Sequence, residues 1–276
     1  MIKGVLCSTG AMITRFNGRD PRLLKDFWPR LEADGIEFMV YPSWDGELDE
    51  NIAAVKRISR EAGMIIPVLH MDKRIGELLS LGSDDEIREA GERFQKNLLI
   101  ARDLGAELAV LHLWGGAASD HHIERNFSVL VDYMTDAERA GVTLTVENVV
   151  CAVETPLTHL RRVMDIYPDA LFTVDTKMAE FHRELPATLA EERLWDGRTR
   201  HLHVNDYGGG VKDFSDLRVL HMGDGHVDFK PFFEKIRATD YSGWLTVESS
   251  SVFPDGTVDF TKLNRTLGNV RRAAKE

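Results

Sequence analysis

The alternation of short apolar segments with helical patterns is the feature that most restricts how this chain can fold. Eight segments rich in branched and aromatic residues are separated by stretches in which apolar side chains recur at helical spacing. These segments are predicted to be strands at residues 4–9, 36–41, 65–70, 107–112, 143–147, 171–175, 200–204 and 244–248. Eight strand–helix units in a chain of 276 residues predict an α/β fold, a closed (β/α)8 barrel of the TIM type.

Helical patterns are predicted at residues 20–35, 48–62, 83–104, 123–140, 158–166 and 259–274, with further helical sequence up to about residue 194. Asp20 and Pro21 supply an N-cap and a first-turn proline, and Ser83 begins a capping box with Glu86. Pro67 conflicts with the third predicted strand, because proline cannot donate a ladder hydrogen bond. The helices nevertheless follow the strands in the order that a barrel requires.

The alternative fold is an open, doubly wound sheet. That fold usually has a glycine-rich phosphate-binding turn after its first strand, and none is present here. No linker or low-complexity segment divides the sequence, so we expect one domain over residues 1–276. The seventh unit contains a long loop that starts at Gly208, and we expect residues 208–225 to cover the barrel mouth.

Four predicted strands end on a side chain that can bind a metal ion. A strand turns alternate residues to opposite faces, so Glu147 shares a face with Thr143 and Thr145. The same alternation recurs in three later strands, and the four strand-end residues are Glu147, Asp175, His203 and Glu248. Because inward side chains at the carboxyl ends of barrel strands form the active site, we expect these four to converge.

Three converging carboxylates repel one another unless they take up protons or bind a cation. One divalent cation would remove this repulsion and would also use the imidazole of His203. An oxygen-rich set with one nitrogen suits Mn²⁺, Mg²⁺ or Co²⁺, and Zn²⁺ is also compatible. The sequence therefore predicts one divalent metal ion bound by Glu147, Asp175, His203 and Glu248.

Charge and cysteine content restrict the partners. The net charge of −11 argues against nucleic acid, which needs a basic surface. Only Cys7 and Cys151 are present, and they lack metal-ligand spacing, so we expect free thiols and a cytoplasmic location. We expect neither a signal peptide nor a membrane span, because no apolar run approaches about 20 residues. The sequence is compatible with a monomer and with a homo-oligomer.

Several motifs at strand ends give the chain a family resemblance. They are Thr145-Val-Glu-Asn148, Val174-Asp-Thr176, His201-Leu-His-Val-Asn-Asp206, Gly223-Asp-Gly225 and Tyr241-Ser-Gly-Trp-Leu-Thr-Val-Glu248. In their order and placement, the chain resembles the xylose isomerase-like TIM barrels, a group with sugar isomerases and epimerases, inosose dehydratase and endonuclease IV. The resemblance implies that Glu147 and Glu248 are the catalytic acid/base pair as well as metal ligands.

Two positions depart from the family pattern. Met178 stands where a histidine is often found, and Val40 stands where a glutamate is common near the end of the second strand. Endonuclease IV-like enzymes also carry further ligands for a three-metal cluster. These departures affect the expected substrate more than the expected metal.

Six more residues are candidates for binding a substrate: His70, His112, Trp114, Lys177, His182 and Asp206. Each has a structural alternative. His70 and His112 lie at inward strand ends but are equally compatible with hydrogen-bonded core histidines. A tryptophan such as Trp114 more often covers a barrel mouth than stacks on a sugar, and a lysine that opens a helix, as Lys177 does, is usually solvated. His182 would have to reach the site from a helix, and Asp206 can instead orient His203.

Two classes of reaction fit these residues. The first is metal-dependent isomerisation or epimerisation of a sugar, a sugar phosphate or a related polyol, with proton transfer through an enediolate stabilised by the metal. The second is a lyase reaction on the same residues, such as dehydration of an inosose-like ketone. A hydrolase of the endonuclease IV kind is disfavoured by the acidic charge. A carbohydrate is the expected partner in the first two cases.

Overall fold

The computed structural model describes residues 1–276 and contains a closed barrel of eight parallel strands. The strands are β1 Gly4–Ser8, β2 Gly35–Met39, β3 Val68–His70, β4 Leu108–Leu111, β5 Thr143–Glu147, β6 Leu171–Asp175, β7 Thr199–His203 and β8 Trp244–Val247. Each strand pairs with its neighbour in sequence, and β8 closes the barrel on β1. The predicted (β/α)8 barrel is confirmed.

Helices surround this barrel. The α-helices are α1 Leu24–Phe27, α2 Leu48–Ala62, α3 Arg74–Leu81, α4 Asp84–Leu104, α5 Ile123–Ser128, α6 Leu130–Ala140, α7 Pro156–Ile166, α8 Thr176–Phe181, α9 Leu185–Ala190, α10 Glu192–Trp195, α11 Phe229–Ala238 and α12 Phe260–Ala273. No helix is both long and apolar enough to cross a membrane.

The strand boundaries differ from the predicted ones at the ends. The third strand begins at Val68 rather than at residue 65, because Pro67 cannot donate a ladder hydrogen bond. The predictions for the fifth and sixth strands agree with β5 and β6. Glu248 lies one residue beyond the end of β8, and His112 lies one residue beyond β4.

Three helical predictions need correction. The first predicted helix, residues 20–35, is broken into short pieces, since Pro29 interrupts the hydrogen-bond ladder after α1. The predicted helix 123–140 is two helices, α5 and α6, which meet at Val129. The helical stretch before β7 is three short helices, and α3 was not predicted.

The barrel interior is apolar at its amino end and polar towards its carboxyl end. Leu6, Val68, Leu108 and Val110 pack together at the lower end of the interior, and Trp244 packs against them. Above them, Thr145 and Thr173 share a hydrogen bond of 2.7 Å. The apolar residues of the opposite strand faces join the helices in one continuous core. The acidic residues at the barrel mouth therefore stand on a closed apolar and hydroxyl-lined base.

Candidate metal centre and active site

Four side chains from consecutive strands converge at the carboxyl end of the barrel. They are Glu147, Asp175, His203 and Glu248, and their ligand atoms lie within 4.8 Å of one another. His203 is at the centre: its Nδ1 lies 3.1 Å from Glu147 Oε1, 3.3 Å from Glu248 Oε2 and 3.7 Å from Asp175 Oδ2. The structure thus brings together the four residues that the strand alternation selects.

Two asparagines hold Asp175 and Glu248 in place. Asn148 accepts the backbone N–H of Asp175 at 2.6 Å and donates to the carbonyl of Asp175 at 3.0 Å. Asn205 donates to Asp175 Oδ2 and to Glu248 Oε2, both at 2.7 Å. The other carboxylate oxygen of Asp175 accepts the backbone N–H of Met178 and caps α8. These bonds fix which oxygen of Asp175 faces the cluster.

Electrostatic effects differ among the three ionisable groups around Asp175. Burial alone would raise the pKa of Glu147, but His112 and His203 outweigh it and hold that pKa well below its usual value. Burial raises the pKa of Glu248, with Glu37 and Glu147 adding to the effect. Burial would lower the pKa of His203, but the surrounding carboxylates raise it well above its usual value. The cluster therefore favours positive charge at its centre.

A second donor group shares Glu147 with the first. His112 Nε2 lies 2.7 Å and His70 Nε2 lies 3.5 Å from Glu147 Oε2, and none of these three buried atoms has a hydrogen-bond partner. His70 Nδ1 contacts the carbonyl of Met71 at 3.0 Å. If that nitrogen carries the proton, Nε2 presents a lone pair to Glu147. Burial lowers the pKa of His112 to about 4, although the carboxylate of Glu147 opposes that effect.

This arrangement fits a divalent metal ion. Unpartnered buried polar atoms are costly, and a cation is a partner that carboxylate oxygens and imidazole nitrogens both accept. The first group offers three carboxylates and one imidazole, and the second offers two imidazoles and the shared carboxylate of Glu147. The donor chemistry suits Mn²⁺, Co²⁺ or Zn²⁺ in either group and Mg²⁺ in the first.

Glu37 is a buried member of the site that the sequence interpretation missed. It lies in the middle of β2, is 0% exposed, and its Oε2 contacts His201 Nε2 at 2.7 Å and His203 Nε2 at 3.1 Å. The acid of this strand therefore lies three residues before Val40, the position at which a glutamate is common in the family pattern. The sequence feature that points to this residue is a single glutamate between Ile36 and Phe38. Fully buried strands are otherwise almost continuously apolar, so a charged residue within one indicates a buried polar partner.

Lys177 and Trp114 are both buried. Lys177 is 4% exposed, makes no ion pair, and has Met178 Sδ as its nearest side-chain partner at 3.9 Å. Burial lowers the pKa of Lys177, and Asp175 opposes that effect. Trp114 is 0% exposed and donates from Nε1 to the carbonyl of Val149 at 3.0 Å, so its indole is packed inside the protein. A role for either in substrate binding stays a prediction.

His182 and Asp206 are engaged in structural hydrogen bonds. His182 Nε2 accepts the backbone N–H of Cys151 at 3.0 Å, outside the acidic cluster. Asp206 accepts four backbone N–H groups at 2.8–3.0 Å, those of Tyr207, Gly223, Gly225 and Val227. Asp206 therefore ties down both ends of the loop after β7. The structure does not bring His182 or Asp206 into contact with the four clustered residues.

Another potential ligand group lies away from the barrel mouth. Asp120, Cys151 and His159 are buried together, but both oxygens of Asp120 already accept hydrogen bonds. Oδ1 accepts backbone N–H groups of Ala152 and Val153, while Oδ2 contacts His159 Nε2 and accepts the N–H of Glu154. Asp120 thus fixes the loop that leads to α7.

The fold and the clustered residues define a (β/α)8 barrel with an acid-rich centre at its carboxyl end. A comparison with protein-family models matches residues 29–259 to the xylose isomerase-like TIM barrel. The chain belongs to the xylose isomerase-like TIM barrel family, which is a family of enzymes. The resemblance in the strand-end motifs is therefore confirmed.

Among curated proteins, the chain is similar to an inosose dehydratase from Lacticaseibacillus casei, with 25% identity over 181 residues. That match covers 65% of this chain and 52% of the relative. An uncharacterised protein of Methanocaldococcus jannaschii is 24% identical over 169 residues, covering 55% of this chain and 54% of the relative. The chain therefore spans about half the length of the curated relatives it matches.

Solved structures of sugar epimerases share the fold. A D-allulose 3-epimerase from Methylomonas sp. has a TM-score of 0.73 and 17% identity, covering 98% of this chain and 97% of that one. A 3-keto-D-glucoside 4-epimerase from E. coli has a TM-score of 0.67 and 17% identity, covering 99% of both chains. At these identities the likeness establishes the fold, and the reaction has to be argued from the site.

Proposed function

We propose that this protein is an isomerase or epimerase of a sugar, a sugar phosphate or a related polyol, and that it depends on a divalent metal ion. The observation that carries the proposal is the convergence of Glu147 and Glu248 on His203 Nδ1, with Asn205 bonded to both Asp175 and Glu248. Glu147 ends β5 and Glu248 directly follows β8, so the two glutamates lie three strand positions apart in the eight-stranded barrel.

Glu147 and Glu248 are suited to exchange protons with a carbon held between them. A carboxylate on one side removes a proton bound to carbon, and a carboxylic acid on the other side returns one. When bound by Glu147, Asp175, His203 and Glu248, a divalent cation would supply positive charge that acidifies a C–H bond beside a carbonyl group. His70 and His112 face Glu147 and would hold its carboxylate or bind a substrate hydroxyl.

The closed, buried setting supports the same assignment. Glu147 is 1% exposed and the Glu248 side chain is 10% exposed, and burial of this kind strengthens electrostatic interactions. Lys177 is a buried amine two residues after Asp175 in sequence and would be available to an anionic substrate group. This feature keeps sugar phosphates among the proposed substrates.

Dehydration of an inosose-like ketone is the second candidate. The similarity to an inosose dehydratase favours it over other lyase reactions. Such a dehydration also begins with removal of a proton beside a carbonyl, so the same glutamates would act in both reactions. The two candidates differ in whether a hydroxyl group is then lost as water.

The test is solvent exchange. Metal-loaded protein is incubated in deuterated water with ketopentoses, ketohexoses, their phosphates and inososes, and products are followed by NMR. We expect one substrate class to gain deuterium beside its carbonyl. Glu147→Gln and Glu248→Gln should each lower exchange by about 10²–10⁴-fold, the usual contribution of an acid or base group.

Glu180→Gln is the matched control, since Glu180 is a buried glutamate paired with Arg183 outside the cluster. It should leave exchange unchanged. Loss of water from an inosose would select the dehydratase. Turnover without deuterium incorporation would reject proton exchange with solvent and favour a hydride shift. Incision of DNA at abasic sites by the same preparation would favour the hydrolase alternative.

A further inference from the structure

The carboxylate of Glu37 lies beneath the proposed metal ligands and contacts two histidines of β7 through one oxygen. Its Oε2 is 2.7 Å from His201 Nε2 and 3.1 Å from His203 Nε2. The three side chains are fully buried. Glu37 and His201 are 164 positions apart in sequence, so barrel closure alone brings them together.

The two nitrogens of His203 face different groups. Nδ1 faces the carboxylates of Glu147 and Glu248 at 3.1 and 3.3 Å, while Nε2 faces only Glu37. A neutral imidazole has one N–H donor and one lone pair, and the partner of one nitrogen decides which form is present. The Glu37 carboxylate accepts the N–H of Nε2, and a cation bound among the carboxylates at Nδ1 would replace a second proton and use the Nδ1 lone pair.

His201 in turn limits the orientations available to Glu37. Its Nε2 lies between Glu37 Oε2 and Thr246 Oγ1, at 2.7 and 3.1 Å. The His201 and His203 rings meet edge to face, with an interplanar angle of 87° and centroids 5.0 Å apart. One oxygen of Glu37 therefore contacts two nearly perpendicular rings, which restricts the orientation of its carboxylate.

We propose that Glu37 is a positioning residue, which fixes the Nε2–H form of His203 and thereby aims Nδ1 at the metal ion. The inference rests on the proposed function in taking His203 as a metal ligand. Carboxylates that accept the second N–H of a metal-binding histidine orient the ring and increase its basicity, and their loss typically lowers metal affinity by about 10–100-fold. His201 and Thr246 keep Glu37 in the orientation that this role needs.

The first measurement is Mn²⁺ binding by electron paramagnetic resonance, for the wild type and for Glu37→Gln. We expect the dissociation constant to rise by about 10–100-fold in Glu37→Gln. The matched control is Thr173→Val, which removes a buried hydrogen bond to Thr145 in the same barrel interior without touching His203. It should bind Mn²⁺ as the wild type does. Equal affinities in all three proteins would overturn the proposal.

The second measurement needs no variant that could fail to fold. Wild-type protein labelled with ¹⁵N-histidine and loaded with Mg²⁺ should show His203 protonated at Nε2 and not at Nδ1 in a long-range ¹H–¹⁵N spectrum. Protonation at Nδ1 alone would overturn the role of Glu37. Both measurements are made without sugar, so a failure of every substrate to react would reject the proposed reaction and leave this inference standing.

Discussion

His112 Nε2 lies 2.7 Å from Glu147 Oε2, yet these two buried atoms do not form a hydrogen bond with each other. His70 Nε2 is 3.5 Å from the same oxygen and is likewise unpartnered. A buried polar atom without a hydrogen-bond partner destabilises the folded state unless another group binds to it. The contact therefore supports the proposed metal site, since a cation would engage these atoms.

A first prediction follows for stability. Adding Mn²⁺ should raise the melting temperature, because a ligand that binds only the folded state stabilises it by about 2.7 kcal/mol at 100 times its dissociation constant. In His112→Ala the gain should be smaller, since one group facing Glu147 is lost. Differential scanning fluorimetry with and without Mn²⁺ measures both gains.

The control for this prediction is His221→Ala. His221 is also a buried histidine, but its ring nitrogens contact hydroxyl groups of Ser249, Ser251 and Thr266. This variant should be less stable than the wild type at every Mn²⁺ concentration while showing the same gain on metal addition. If Mn²⁺ raises the melting temperature of His112→Ala as much as that of the wild type, His112 is not part of the metal site.

The second prediction concerns the loop after β7. Arg218 lies in an exposed part of this loop, whereas the backbone N–H of Lys212 is bonded to the carbonyl of Phe181. Trypsin should therefore cut first after Arg218. Asp206→Asn should accelerate the cut, because an amide cannot accept all four backbone N–H groups that hold the loop. Mass spectrometry of early fragments identifies the site.

Asp228→Asn serves as the comparison, since Asp228 caps α11 just beyond the loop through the N–H of Lys230. Its loss should leave the rate of cleavage after Arg218 unchanged. A substrate analogue bound with metal should slow this cleavage if residues 208–225 cover the mouth. The assignment of residues 208–225 as a cover would be contradicted if trypsin cut first at another site and Asp206→Asn did not change the rate of that cut.

The third prediction is the pH dependence of Asp120. Burial alone would raise its pKa, but backbone N–H groups of Val153 and Glu154, together with His159, lower it. A lowered pKa in the folded state stabilises the protein above the unfolded value of about 3.9, and this stabilisation is lost as the pH falls. Asp120→Asn should cost ~1.5–3 kcal/mol at neutral pH, the range for hydrogen bonds to a charged group.

The difference between wild type and Asp120→Asn should be constant from about pH 5 to pH 8 and should shrink below about pH 4. Urea unfolding followed by tryptophan fluorescence measures it. Asp165→Asn is the comparison, because Asp165 forms an exposed ion pair with Arg193 and should contribute less than about 1 kcal/mol. A difference that grows towards low pH would contradict the assigned role of Asp120.

A fourth prediction concerns domain organisation. We propose that residues 1–276 form one domain, because β8 closes on β1 and α12 packs against β1. Thermal unfolding followed by circular dichroism and by tryptophan fluorescence should then give one coincident transition. Two separate unfolding transitions would contradict this proposal, because they would show that parts of the chain unfold independently.

The sequence by itself determined the barrel and the four clustered side chains. Alternation along β5, β6, β7 and β8 is a local property, and it sets which face each strand-end residue occupies. Eight such strands separated by helices leave few topologies other than a closed barrel. For this reason the sequence alone predicts that Glu147, Asp175, His203 and Glu248 share the inner face of the barrel.

Only the tertiary structure decided the environment of these residues. Glu37 meets His203 because barrel closure and strand register bring β2 and β7 into reach across the interior, and no local pattern encodes that distance. Asp206 and Trp114 lie beyond strand ends, where alternation no longer sets the direction of a side chain, and both are occupied by backbone groups. The direction of a loop side chain follows from packing and from unpaired backbone N–H and C=O groups, which exist only once the chain has folded.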